Sequence, residues 1–322
     1  MFSHSIYHSK LKSQWDNFID KSKNGTFLFR RDFLEYHKDR FYDYSIIFYK
    51  DNEVIAVFPA NKVNKTIYSH QGLTYGGLII GSHIKFSDVL KIFRLLLSHL
   101  HSNNYASLII KEIPEIYRIL PSSEVKYLLH IVDSKLIRRD VLSVVKIGKN
   151  SYSRDRMQGN KRGKKFKLNV KEDSNFDNFW NTILVPNLKN KHGISPVHTL
   201  EEIARLKSLF PKKIRQFNVY LDDMIVAGAT IFETKTTAHV QYISANKEKN
   251  KLGSLDYLFT YLIEEVFNSK EYLDFGNSNE NNGKNINEGL LYWKEGFGAR
   301  SATQDFYEIN TSNFKKLDDI MI

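Results

Sequence analysis

Residues 49–56 read YKDNEVIA and residues 220–227 read YLDDMIVA, and the similarity of these two segments is the main indication of how the chain folds. The two segments align at one fixed offset, with a tyrosine, an aspartate, a Val or Ile and an alanine at matching positions. In each segment an acidic turn separates two apolar runs, which is the pattern of a β-hairpin. The elements predicted after each hairpin also follow the same order. We therefore interpret the sequence as an internal duplication.

Periodicity predicts both helices and strands in each half of the chain. In the first half, helices are expected at residues 11–20, 31–37 and 88–101, and strands at 44–49, 54–61, 66–70, 73–80 and 106–110. At the junction, a strand is expected at 141–147. In the second half, strands are expected at 217–221, 225–232, 237–244 and 272–275, and a helix at 254–267. The prediction is an α/β (α+β) protein with domains at residues 1–150 and 151–322.

Composition restricts the chemistry and the partners. The chain has 322 residues, no cysteine and a formal charge of +11. Disulfides, thiolate metal sites and cysteine nucleophiles are therefore excluded, and no HExxH motif is present, so no metal is expected. A basic protein attracts anions such as nucleic acid, an anionic lipid surface or a phosphorylated small molecule. No apolar run is long enough to span a bilayer, so we predict a cytoplasmic protein, with a peripheral position at the inner membrane surface as an option.

The junction between the halves carries a dense group of positive charges. Seven basic residues and one acidic residue lie between Arg154 and Lys167. Such a stretch can bind an acceptor diphosphate, the phosphates of coenzyme A or tRNA, and it can also be a solvated connector. For substrate binding we select Arg154 and Arg156.

The C-terminal part of the chain carries a motif. The segment DFGNS at residues 274–278 is followed by Gly283, NEGL at 287–290 and WKEGFGA at 293–299. This resembles tandem proteins of the GCN5-related N-acetyltransferase (GNAT) kind that are related to Fem-type peptidyltransferases. It is also similar to GNAT proteins encoded among polysaccharide genes. The resemblance implies two tandem GNAT-like domains, each a mixed, mostly antiparallel sheet flanked by helices.

The resemblance also implies an activity. It suggests N-acyl transfer from an acyl-CoA, acetyl-CoA being the first choice, to an amino sugar of a cell-surface polysaccharide or cell-wall precursor, on a nucleotide or lipid carrier. The donor phosphates would meet the strand-to-helix turn at residues 246–254, where a helix N-terminus suits an anion. The candidates there are Lys249, Lys251, Gly253 and Ser254, although only one glycine of the GNAT pattern is present.

Two other functions stay open. Fem-type enzymes use aminoacyl-tRNA, but no long helical arm of the Fem kind is visible in this sequence. A non-catalytic binding protein on the same fold is the alternative from a different class.

Three residues are candidates for catalysis. The resemblance assigns donor binding or charge stabilisation at the transferring carbonyl to Lys294. Asp274 ends a predicted strand, where ligands gather in open sheets. His239 lies on the third predicted strand of the second half and suits a general base. Other substrate-binding candidates are polar residues in predicted turns, strands and loops: Glu35, His70, Tyr75, Gln241 and Ser278.

Overall fold

The chain divides into two compact units. The structure, a computed structural model, describes residues 1–149 and 151–322, with residues 191 and 192 described by their main chain only. The first unit contains Met1–Asp140 together with Thr303–Ile322, and the second contains Val141–Ala302. The sequence prediction had placed residues 303–322 in the second domain. They belong to the first unit because residues 306–310 pair with residues 107–111 in an antiparallel ladder.

The first unit is built from helices and short strands, which we number in chain order. Its strands are β1 (Phe2–Ile6), β2 (Tyr42–Asp43), β3 (Ile46–Lys50), β4 (Glu53–Phe58), β5 (Asn61–Val63), β6 (Thr66–Tyr68), β7 (Ile79–Ile80) and β8 (Ser107–Lys111). Its helices are α1 (Lys12–Lys21), α2 (Arg31–Leu34), α3 (Phe86–Ser102) and α4 (Glu124–Ile131). Strand β9 (Lys135–Lys146) begins in this unit.

The strands of the first unit form two groups. One has the order β1-β3-β4-β7 and the other pairs β8 with β6, β6 with β5 and β5 with β2. The sequence predicts a strand at residues 73–80, but only the last two of these residues, which form β7, are a strand. This segment is held by its main chain instead, since the Gly76 N–H donates to the Lys111 carbonyl at 2.7 Å. The apolar face of α3 packs into the core beside it.

The second unit continues the numbering. Its strands are β10 (Asn169–Asp173), β11 (Ile214–Leu221), β12 (Met224–Glu233), β13 (Thr237–Ala245), β14 (Tyr272–Asn277), β15 (Asn279–Glu280) and β16 (Asn285–Ile286). Its helices are α5 (Arg154–Lys165), α6 (Val185–His192), α7 (Leu200–Leu209), α8 (Lys249–Leu252), α9 (Ser254–Tyr261) and α10 (Glu288–Glu295), and β17 (Arg300–Asn310) starts after them. The sheet order is β10-β11-β12-β13-β14-β9.

The two hairpins of the sequence repeat have matching geometry. In β3–β4, Tyr49 pairs with Val54 after a shift of register, and in β11–β12, Tyr220 pairs with Ile225 after a shift at the equivalent place. The aspartates of the two turns, Asp51 and Asp222, have φ values of 50° and 52°. Asp tolerates this left-handed conformation better than most residues. The same bulge in both units agrees with duplication of one unit.

The basic stretch at the junction forms a helix, α5, which hydrophobic periodicity did not predict. Ser153 caps it by accepting a hydrogen bond from the Arg156 N–H. Its buried face is formed by Gly159 and Gly163, which pack against Asp256 and Tyr257 of α9. Hydrophobic periodicity missed the helix because glycines supply its packed face.

Helix α9 joins the core of the second unit. The predicted helix at residues 254–267 is α9 followed by a π-helical turn, Leu262–Val266. Leu258, Phe259 and Leu262 are fully buried. Over the described residues, no helix has both the length and the hydrophobicity to cross a bilayer.

Candidate active site

Strands β13 and β14 diverge in the second unit. Their parallel pairing runs from Thr237 and Tyr272 to His239 and Asp274. Beyond this point β13 continues to Ala245 along β12, while β14 continues along β9. A bulge in β13, on the β12 side, falls at Gln241. The divergence leaves an opening between two strands, which is where ligands enter open sheets.

Lys294 lies at the end of α10 with its side chain buried. Its Nζ donates to the carbonyl oxygens of Gly276 at 3.1 Å and Asn277 at 2.6 Å, at the end of β14. Burial lowers the pKa of the Lys294 ammonium to about 8, and the charge of Asp274 partly opposes this change. An ammonium has three N–H donors, so one remains for a substrate oxygen.

Asp274 connects this site to His239. One carboxylate oxygen accepts the Gly276 N–H at 2.7 Å, and the other lies 3.0 Å from His239 Nδ1. The first contact fixes the main chain whose carbonyls hold Lys294. The second fixes the imidazole and makes Nε2 the atom that would accept a proton. The structure thus brings the three predicted catalytic residues together.

A cavity of about 710 Å³ lies beside the diverging strands. It is lined by residues from the end of β13 and from α5, α8, α9 and α10: Asp155, Arg156, Gln158, Arg162, Ile243, Ser244, Ala245, Lys249, Asn250, Leu255, Asp256, Gly289, Leu290 and Trp293. The volume suits a ligand of cofactor size. Trp293 lines the cavity and precedes Lys294 in α10, whereas Lys294, Asp274 and His239 themselves are not among the residues that line it.

One wall of the cavity is an ordered polar network. Asp256 accepts hydrogen bonds from Arg156 at 2.7 Å and from the Trp293 indole N–H at 3.1 Å. The Arg156 guanidinium also lies 5.9 Å from the centre of the Trp293 ring and 5.8 Å from that of Phe297. Burial raises the pKa of Asp256, and the charge of Arg156 opposes this. These contacts hold the tryptophan in one orientation.

The turn predicted to receive donor phosphates packs against α5 at Gly253. Gly253 is in the left-handed conformation, and a Cβ there would lie 2.1 Å from the Gly159 oxygen of α5. Ser254 is completely buried. Lys251 is exposed and pairs with Glu248 at 3.1 Å. Of the four predicted residues, Lys249 lines the cavity. Three basic side chains that line the cavity, Arg156, Arg162 and Lys249, could hold a phosphate, whereas the Gly253 N–H of this turn already donates to the Lys249 carbonyl at 2.8 Å.

The remaining predicted residues are spread over both units. Arg156 lines the cavity, whereas Arg154 is exposed at the start of α5. Gln241 and Ser278 each have a buried side-chain oxygen without a hydrogen-bond partner in the described structure. Their roles stay predictions.

In the first unit, two of the three candidates are buried. Tyr75 is a core residue that donates to Thr26 at 3.2 Å. His70 is also buried, and burial lowers its pKa to about 3. Glu35 is partly exposed and accepts hydrogen bonds from Arg31 and Tyr7. Substrate binding by these residues stays a prediction.

Sequence reasoning did not select Asp256 or Trp293, and it included Arg162 only as part of the basic stretch from Arg154 to Lys167. A signal was available for α5, because Gly159 and Gly163 are four residues apart and would share one face of a helix. No comparable signal pointed to Asp256, whose role depends on the helix packed against it.

The fold is that of tandem GNAT-like proteins. It is similar to the crystal structure of FemX, with a TM-score of 0.71 at 12% identity over 98% of this chain and 99% of that one. It is also similar to L-PGS from Bacillus licheniformis, with a TM-score of 0.58 at 12% identity over 93% of this chain and 91% of that one.

A third similar structure is a tandem GNAT protein from the clavulanic acid biosynthesis pathway. Its TM-score is 0.51 at 8% identity, over 97% of this chain and 99% of that one. No protein-family model and no curated protein sequence matches the chain. At these identities the similarity establishes the fold.

Proposed function

We propose that the chain is an N-acyltransferase whose second unit binds an activated, phosphate-bearing acyl donor. The observation that carries the proposal is Lys294, a buried ammonium held by two carbonyl oxygens with one N–H left over. A desolvated ammonium stabilises a developing negative charge more strongly than an ammonium in bulk water does. The tandem GNAT-like fold and the presence of a cavity in the same unit support the same activity.

The reaction joins an amine nitrogen to the acyl carbon and breaks the bond between that carbon and the leaving group. The proton lost by the amine ends on the leaving group. In the proposed mechanism, Lys294 stabilises the oxyanion while His239, oriented by Asp274, takes the amine proton. No covalent intermediate on the protein is needed.

For the donor we propose an acyl-CoA, which supplies a thioester. Lys249, Arg156 and Arg162 are the cations of the cavity that would hold its phosphates. For the acceptor we propose the amine of an amino sugar in a cell-surface polysaccharide or cell-wall precursor, as the sequence resemblance implies. The clavulanic acid tandem GNAT protein, whose crystals are described as without AcCoA, supports acetyl-CoA as the first donor to test.

Aminoacyl-tRNA is a second candidate donor. Helix α5 favours this donor, because it lines the cavity on one side and exposes Lys161, Lys164 and Lys165 to solvent. A row of cations beside a ligand cavity suits a nucleic-acid backbone. Binding of charged tRNA that weakens steeply with salt would support this donor.

The test is a transfer assay with the purified full-length chain. Acetyl-CoA and charged tRNA are offered in turn with amino sugar acceptors, and acylated product is measured by mass spectrometry. We expect Lys294→Met to lower kcat by about a hundredfold, because one stabilising group at an oxyanion contributes roughly this much. The matched control is Lys212→Met, which removes an exposed lysine outside the cavity.

Two results would contradict the proposal. One is equal activity of Lys294→Met and the wild-type chain. The other is the absence of both transfer and thermal stabilisation with either donor, since a donor at a hundred times its Kd should stabilise the fold by about 2.7 kcal/mol. The second result would favour a binding protein without catalysis.

A further inference from the structure

We infer that Arg162 is the phosphate-binding residue of the cavity and that it recognises a phosphate ester or diphosphate of the acyl donor. The inference rests on the proposed function and adds the chemical class of the ligand group and its contact. It also moves phosphate recognition from the turn before α9 to a side chain of α5.

The first reason is the unsatisfied state of the Arg162 side chain. Its Nε is buried and has no hydrogen-bond partner within the described structure. Buried polar groups in folded proteins nearly always have a partner, so an unpaired N–H on a residue that lines the cavity points to an acceptor that arrives with a ligand. The guanidinium fork matches phosphate oxygens in geometry and charge.

The second reason is that the nearby carboxylates are engaged elsewhere. Asp256 accepts from Arg156 and Trp293, and Asp155 accepts from the Tyr292 hydroxyl at 2.9 Å. Burial raises the pKa of Asp256, and the charge of Arg162 partly opposes this rise. Arg162 is therefore the cation of the cavity wall without a bonded partner, and Lys249 adds a further positive charge at the same cavity.

The third reason is that the start of α9 suits an anion less well than the side chains of α5 do. Gly159 covers Gly253, and Ser254 is fully buried. The carboxylate of Asp256 also lies in the first turn of α9 and would repel a phosphate there. An anion entering the cavity is thus directed to the side chains of α5.

The experiment measures ligand binding to the full-length chain by calorimetry. The probes are inorganic pyrophosphate, coenzyme A and a short RNA hairpin with a single-stranded 3′ end. Arg162→Gln should weaken binding of pyrophosphate and of the true donor type at least tenfold, and Arg162→Lys should restore part of the affinity. The control, Lys212→Gln, removes one charge from an exposed position outside the cavity and should change affinity less than twofold.

The probes also separate the two donor types. Coenzyme A binding that depends on Arg162 assigns the phosphate to a small-molecule donor, and RNA binding with the same dependence assigns it to an RNA-linked donor. Equal loss in Arg162→Gln and Lys212→Gln would overturn the inference, as would no binding of any probe by the wild-type chain. Unfolding curves of both variants exclude a general loss of structure.

The inference and the proposed function can fail separately. Transfer that needs Lys294 together with unchanged donor binding in Arg162→Gln would refute the inference alone. Donor binding that needs Arg162 without any transfer to an amine would refute the proposed activity alone.

Discussion

A buried lysine that contacts carbonyl oxygens rather than a carboxylate destabilises the fold at neutral pH. Lys294 is in this position, and its pKa is lowered from the ordinary value to about 8. Between pH 8 and the ordinary lysine pKa of about 10.4, the unfolded chain binds a proton that the folded chain has released. Stability therefore increases with pH over this window, and the penalty is fully present below it.

The direction of this pH dependence of stability gives a prediction. The free energy of unfolding of the wild-type chain, relative to Lys294→Met, should rise by about 2 kcal/mol between pH 7 and pH 9.5. Urea denaturation of both proteins at the two pH values measures it. Using the difference cancels other titrating groups, such as Lys111, whose pKa burial also lowers to about 8. A difference that is constant with pH would show that Lys294 is not a buried cation.

Part of this site could be predicted at the residue scale. Lys294, Asp274 and His239 were each selected from motif or strand position, and the structure brings them together. Their contacts could not be predicted, because the pairing of His239 with Asp274 depends on the register of two strands that are distant in sequence. The roles of the three residues stay predictions until transfer is measured.

At the scale of elements, the contact between α5 and α9 forms one wall of the site. Gly159 and Gly163 allow the helices to approach so closely that a Cβ on Gly159 would lie 1.7 Å from an Asp256 carboxylate oxygen. This carboxylate also holds Arg156 and Trp293. Displacing it would disturb the cavity.

Gly159→Ala tests this wall. In an ordinary helix the change stabilises by about 0.5–1 kcal/mol, because glycine has more freedom to lose on folding. Here the clash should reverse the sign and destabilise by about 1–3 kcal/mol, as overpacked sites do. Chemical denaturation measures the effect, with Lys164→Ala on the exposed face of α5 as the control. A stabilised Gly159→Ala variant would mean that the helices are farther apart than described.

Elements with strong periodicity were predicted well. The helix at residues 88–101 is α3, and the hairpin strands agree with β3, β4, β11 and β12 within a few residues. Helix α5 was missed because its sequence is charged and its packed face consists of glycines. The strand predicted at 73–80 is mostly irregular because Gly76 makes a single main-chain bond to β8 instead of joining a ladder.

At the scale of the whole molecule, the first unit is discontinuous in sequence. Residues 306–310 add a strand beside β8, and Ile309 and Leu317 are buried in the core with α3. The tandem fold was predictable from the repeat. The return of the chain to the first unit was not, since nothing in the local pattern of residues 300–322 indicates which half it joins.

Removal of the returning segment should therefore damage the first unit selectively. In a chain that ends at Ala302, we expect amide hydrogen exchange to accelerate strongly in β8 and α3, because both lose packing partners. Protection in β11 and β12 should persist. A chain lacking only residues 321 and 322, which are exposed, is the control. Unchanged protection of β8 would show that the segment is dispensable.

The discontinuity also has a consequence during synthesis. Residues 1–140 emerge from the ribosome first, but their core stays incomplete until Thr303–Ile322 has also emerged. At ordinary translation speeds that interval is on the order of 10–40 seconds. Throughout it, apolar surface of the nascent first unit is open to chaperones, whereas the contiguous second unit is free to fold as it is made.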